Sequence, residues 1–177
     1  NNFPVATHVP VLIVERDGKC FLQAHIMRKQ DHHIAFENNP NVLVVFQGAN
    51  AYVSSSWYDQ DQRGSTWNYQ AVHAKGVLRF LSDAELFELL SNLTAHFEKD
   101  PESPSQVKNQ TDEYMQSNMK AIVAIEIEIM DLQHVFKMSQ NRNKKSFHNI
   151  IEELEKGDLA AIIVAEEMKK QSPQIND

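Results

Sequence analysis

Two short blocks of this chain set aromatic rings directly beside hydroxyl and amide groups. Ser54, Ser55, Ser56, Trp57 and Tyr58 form the first, and Ser65, Thr66, Trp67, Asn68 and Tyr69 the second; together they hold both tryptophans of the chain. A ring can stack on a flat ligand while a neighbouring hydroxyl or amide hydrogen-bonds it, the mixture a small-molecule site needs. Core packing is the ordinary alternative, because large aromatics dominate cores. Both blocks lie in one stretch, residues 46–76, which reads as a long hairpin whose polar middle, 59–64, is expected to be a flexible rim. Such a surface suits a flat ring that also bears a phosphate.

A phosphate needs cations. Lys137, Arg142, Lys144 and Lys145 lie close together, and no acid occurs between Leu132 and Ile151 in a chain of formal net charge -7. Arg offers a bidentate fork to a phosphate and Lys a point charge. A solvated loop between strand and helix explains the same residues equally well. Arg28 and Lys29, at the end of an earlier strand, are a second candidate of this kind, with an exposed turn as the ordinary reading.

Other chemistries find little footing. The eight histidines include no HxxxH pair, adjacent His32 and His33 point apart, and there is one cysteine, so no metal site is expected. Ser54, Ser55 and Ser56 lack the GxSxG turn of an exposed nucleophile, and the phosphate cradles GxxxxGK and GxGxxG are absent. Glu126 and Glu128 alternate with isoleucines and read as the exposed face of a strand. No residue stands out as an acid or base, so no catalytic residue is assigned. The acidic balance argues against a protein whose main task is to coat nucleic acid; Arg142, Lys144 and Lys145 are the footholds for DNA, without a helix-turn-helix pattern.

At 177 residues the chain fits one domain able to bury roughly 70% of its unfolded surface. Cys20, in an apolar run, cannot form an intrachain bridge, which agrees with a reducing compartment. With no apolar run of about 18 residues and no signal sequence, the expected location is the cytoplasm, without a membrane partner. The start lacks a methionine and reads as following a missing segment.

A hairpin is expected over 8–14 and 20–25 around Asp17 and Gly18, then a short helix capped by Asp31 and running to Phe36. Strands follow at 42–46, 51–55 and 65–80. Ser82 and Glu85 have capping-box spacing before a helix whose apolar face is Leu86, Leu89, Leu90, Leu93 and Phe97. A short helix over 111–119 precedes a strand of period two from Ala121, and a separate strand over 134–138 follows a tight connection at Asp131. Two helices end the chain, the first capped by Ser146 and stopped by Gly157, the second starting at Asp158 with Leu159, Ile162, Ile163 and Met168 as its apolar residues. Six or seven grouped strands predict a mainly β fold with helices, an antiparallel barrel with helical additions.

Five segments together resemble a known family: His8-Val9-Pro10, the run from Gln23 to Arg28, Ala51-Tyr52-Val53-Ser54-Ser55-Ser56-Trp57-Tyr58, the run from Thr66 to Gly76, and Lys137-Met138-Ser139-Gln140-Asn141-Arg142. In that order, over nearly the whole chain, they are similar to the PaiB family of FMN-binding negative transcriptional regulators. The resemblance implies an antiparallel, Greek-key split β-barrel of the flavin-reductase and pyridoxamine-phosphate-oxidase type with C-terminal helices, a single domain over 1–177, and a homodimer with FMN at the subunit interface. It also implies a family segment ahead of the HxP motif that this chain lacks. On the same ground Arg28, Lys29, Ser54 and Ser56 are expected at the phosphate and ribityl chain, Trp67, Asn68 and Tyr69 at the ring, and Lys137, Gln140 and Arg142 on the partner's side of the site. The functional expectation is an FMN-binding regulator. A flavin-dependent reductase or oxidase is the alternative, and a repressor that contacts DNA directly ranks third.

Overall fold

The computed structural model describes residues 3–59 and 64–171. Residues 60–63, most of the polar middle expected as a rim, lie outside the described residues. Strands β1 (Leu12–Arg16) and β2 (Lys19–Met27) form the expected hairpin, with Arg16 opposite Lys19 and Leu12 opposite Gln23. Asp17 and Gly18 turn it with φ of 53° and 72°, the paired positive values of a two-residue turn that matches strand twist. Helix α1 (Asp31–Asn38) follows with Gln30 as its N-cap. The expected cap, Asp31, is instead the first helical residue, where its carboxylate accepts from the His32 N–H at 2.8 Å and favours the positive end of the helix.

Strand β3 (Asn41–Val53) is one element where two were expected, because backbone ladder bonds continue through the polar interval at Gln47, Gly48 and Asn50 whatever the side chains prefer. Strand β4 (Thr66–Phe80) holds the expected extended segment. Strand β5 (Ile122–Lys137) runs unbroken past Asp131, whose carboxylate pairs with Lys75 at 3.1 Å, so the acid is accommodated on the sheet rather than in a turn. Among the described residues the count is therefore five strands, not six or seven, hydrogen-bonded in the order β1-β2-β5-β4-β3. With five helices the architecture is the mainly β, antiparallel class expected.

The chain divides into two compact units, residues 1–44 with 74–131, and 45–73 with 132–177. In the first, Ser82 and Glu85 close a capping box at the start of helix α2 (Asp83–Phe97), the Ser82 N–H donating to Glu85 Oε2 at 2.8 Å. Leu86 and Leu89 bury against Leu81 and Ala124. Phe97, three turns beyond Leu86, runs past that cluster and is exposed. Thr111 caps helix α3 (Asp112–Met119).

In the second unit, helices α4 (Lys144–Leu154) and α5 (Leu159–Gln171) enclose a core with Val53, Met138, Phe147, Ile150, Val164 and Met168. Asn143, not Ser146, caps α4: its Oδ1 accepts from the Ser146 N–H at 2.8 Å, and the buried Ser146 hydroxyl accepts from the Asp59 N–H at 2.9 Å. Asp158 caps α5 through the Ala161 N–H. The buried face of α5 is Ala161, Val164, Ala165 and Met168, whereas Leu159 and Ile163 are exposed. The start of that face must be small because the connection is tight: a Cβ at Gly157 would stand 2.8 Å from the Ala161 Cβ. Among the described residues no helix is long and apolar enough to cross a membrane.

Candidate functional site

The candidate site is built in the second unit, on the ends of β3 and β4. Side chains on a strand alternate between faces, so burial of Ala51 and Val53 turns Tyr52 outward and burial of Asn68 turns Trp67 outward. Their rings meet edge to face, centroids 5.9 Å apart and planes at 69°. Trp67 is 53% exposed and Tyr52 49%, large aromatic area left at the surface. The first block is different: Trp57 and Tyr58 pack against the α4 and α5 core, as the ordinary reading of tryptophan allows.

Hydroxyls and cations lie beside these rings in sequence. Ser54 accepts from the Ser56 N–H and its hydroxyl meets that of Ser56 at 2.8 Å, while Ser65 Oγ accepts from the Ser55 N–H at 3.0 Å. Lys137, at the end of β5, donates through Nζ to the hydroxyl of Thr66, the neighbour of Trp67. The Arg142 guanidinium covers the Tyr58 ring at 4.1 Å, a cation–π contact, and the buried Tyr58 hydroxyl has no hydrogen-bond partner among the described residues. Lys145 pairs with Asp59 at 2.7 Å.

Two of the expected ligand residues are committed to the protein itself. Asn68 is fully buried; its Oδ1 accepts from Ser139 Oγ at 2.9 Å and its Nδ2 donates to Met168 Sδ at 3.2 Å. Gln140 accepts from the Met138 N–H and donates to Gln171 Oε1, closing the turn after β5. Tyr69 is half-buried. Arg28 and Lys29 belong to the first unit. There Arg28 donates to the Ile122 carbonyl at 2.7 Å and pairs with Asp83 at 3.2 Å, and the Lys29 N–H donates to His33 Nδ1.

Glu126 corrects the sequence reading most sharply. It is 1% exposed rather than on a wet strand face, and it accepts from Arg16, Gln23 and Arg79. Burial pushes its carboxyl up, but those three donors together outweigh burial and hold it down to about 2. A carboxylate so fixed stays ionised at neutral pH and serves the fold. Burial also lowers the pKa of His25. Tyr52, passed over as a site residue, was findable from the alternation Ala51, Tyr52, Val53; the Glu126 cluster, joining residues far apart in sequence, had no local signal.

Residues 1–131 match the family model described as "Putative FMN-binding domain". The chain is 37% identical to the Protease synthase and sporulation protein PAI 2 of Bacillus subtilis over 152 residues, 86% of this chain and 73% of that protein. It is 37% identical to an uncharacterized protein of Saccharomyces cerevisiae over 105 residues, 55% of this chain and 62% of that protein. Solved structures similar to it include the flavocytochrome Anf3 from Azotobacter vinelandii, at 15% identity and a TM-score of 0.47 over 77% of this chain and 57% of that one. Another is a FAD and heme binding protein from Mycobacterium smegmatis, at 16% identity and a TM-score of 0.44 over 71% and 63%.

Proposed function

This chain belongs to the FMN-binding domain family, and from that premise we propose that it holds FMN against the Trp67 and Tyr52 surface of its second unit, as a homodimer with a regulatory role. The observation that carries this reading is the exposed ring pair beside the Thr66 and Lys137 contact. The donor set fits the cofactor: aromatic area for a flat ring system, Ser54 and Ser56 for hydroxyl-rich and phosphate groups, and the Lys137 ammonium for negative charge. In this reading Trp67 and Tyr69 orient the ring and Lys137 and Arg142 supply charge. FMN, when bound, supplies hydride-transfer chemistry of its own ring.

A second copy is the proposed partner because β5 leaves apolar side chains bare. Leu132, Val135 and Phe136 are all exposed, and Val135 and Phe136, adjacent on the strand, point to opposite faces of the sheet. These side chains lie on the end of β5 beyond the 122–128 segment that pairs with β2, and an interface between copies would bury them. The test is the visible spectrum of the purified full chain after FMN addition, with molecular mass measured on the same sample.

A further inference from the structure

Asn68 sits between Trp67 and Tyr69, in the block most closely tied to the flavin ring, yet its side chain turns inward. An amide buried in this way loses its water and is retained where its hydrogen bonds fix an arrangement that an apolar residue would leave loose. Here the bonds join three separate segments. Ser139, held at φ 60°, follows the end of β5 and donates to Asn68 Oδ1, and Met168 on α5 accepts from Asn68 Nδ2. All three side chains are buried. Two further contacts repeat the connection: Gln70 Nε2 donates to Glu167 at 3.2 Å, and Gln140 Nε2 to Gln171 at 3.1 Å. Outside, Lys137 reaches Thr66.

We infer that Asn68, clamped between Ser139 and Met168, is a positioning residue that fixes the strand carrying Trp67 to the turn carrying Lys137 and to helix α5. This rests on the reading that the Trp67 surface receives FMN. Its consequence is that residues beyond 131, where the family match ends, build part of the site: α5 holds the strand that presents the exposed ring pair.

The test uses the full chain in a Trp57→Phe background, leaving Trp67 as the one tryptophan. Asn68→Asp discriminates by pH. The neutral acid keeps a donor for Met168 and an acceptor for Ser139, whereas the carboxylate has no donor and is penalised by burial, which raises its pKa. The clamp is then intact at low pH and lost as pH rises through that raised value. Trp67 emission of flavin-free Asn68→Asp is expected to shift between about pH 5 and about pH 8 while the parent's does not. FMN affinity is expected to stay within about twofold of the parent at the lower pH and to fall about tenfold at the higher. Ser139→Ala, the milder change, is expected to bind about threefold to tenfold more weakly at both. Should folded Asn68→Asp and Ser139→Ala keep the parent's Trp67 emission and FMN affinity at both pH values, the positioning role is overturned. A parent that binds no FMN overturns the flavin reading instead, and the emission of the flavin-free variants still decides whether Asn68 positions the Trp67 ring.

Discussion

The Arg79 guanidinium reaches one oxygen of the buried Glu126 carboxylate twice, through Nε at 3.0 Å and Nη2 at 2.8 Å. Arg16 and Gln23 complete the set, so four side chains from β1, β2, β4 and β5 meet at one charge. This network ties the strands of the first unit across the sheet; removing its acceptor takes the Glu126 ion pair from Arg16 and leaves Arg79 with Glu85 at 3.3 Å.

Glu126→Gln should destabilise the fold by about 1 to 2 kcal/mol, the scale of lost hydrogen bonds to a charged group, because the half-exposed Arg16 and Arg79 regain water. The pH dependence has a definite sign. The folded-state pKa of about 2 lies below the ordinary value of 4.5, so this stability is present above about pH 4.5 and lost as pH falls toward 2. Urea unfolding of the parent and of Glu126→Gln as a function of pH checks both, and the gap between them should narrow toward low pH. A gap that does not change with pH would show that ionised Glu126 contributes nothing.

Trp67→Ala should weaken FMN binding at least about tenfold, the scale of losing an aromatic stacking partner, while Trp67→Phe should cost about threefold. Trp67 is exposed, so the fold should lose less than about 0.5 kcal/mol. Flavin fluorescence titration and thermal melts separate the two effects.

Phe136→Asp should convert the protein to a monomer of 20.3 kDa and weaken FMN retention in the same sample. An acid placed on an apolar interface loses hydration without gaining a partner, which costs several kcal/mol per copy. Light scattering after size exclusion gives the mass. A parent that is itself monomeric at micromolar concentration would remove the dimer.

DNA should not be retained by direct contact. The chain carries net charge -7, and of its basic run Lys145 is paired with Asp59 and Arg142 covers Tyr58. A gel-shift series against salt should show no salt-dependent complex, and Lys144→Ala with Lys145→Ala should change nothing. A complex that weakens steeply with salt and is lost in those variants would restore the repressor reading.

The local signals in this sequence were the legible ones. Asp17 and Gly18 and the Ser82 and Glu85 box were readable because each depends on a few adjacent residues. Continuity of β3 and β5 was not, since polar residues such as Asn50 and Asp131 look like turns until a neighbouring strand supplies their partners. At the site, Trp67 stood out by residue type and lies at the surface, but nothing local said that Asn68 beside it turns inward, because Ser139 and Met168 are 71 and 100 residues away. Alternation along β4 was the one available hint.

The most direct measurement is an equilibrium titration of the purified, flavin-stripped full chain with FMN, followed by the visible absorption spectrum and by quenching of tryptophan emission. A saturable shift of the flavin bands with about one FMN per chain, quenching that disappears in Trp67→Ala, and flavin carried with the protein through gel filtration are expected. Free-flavin spectra at every protein concentration, with tryptophan emission unchanged, would contradict the flavin reading.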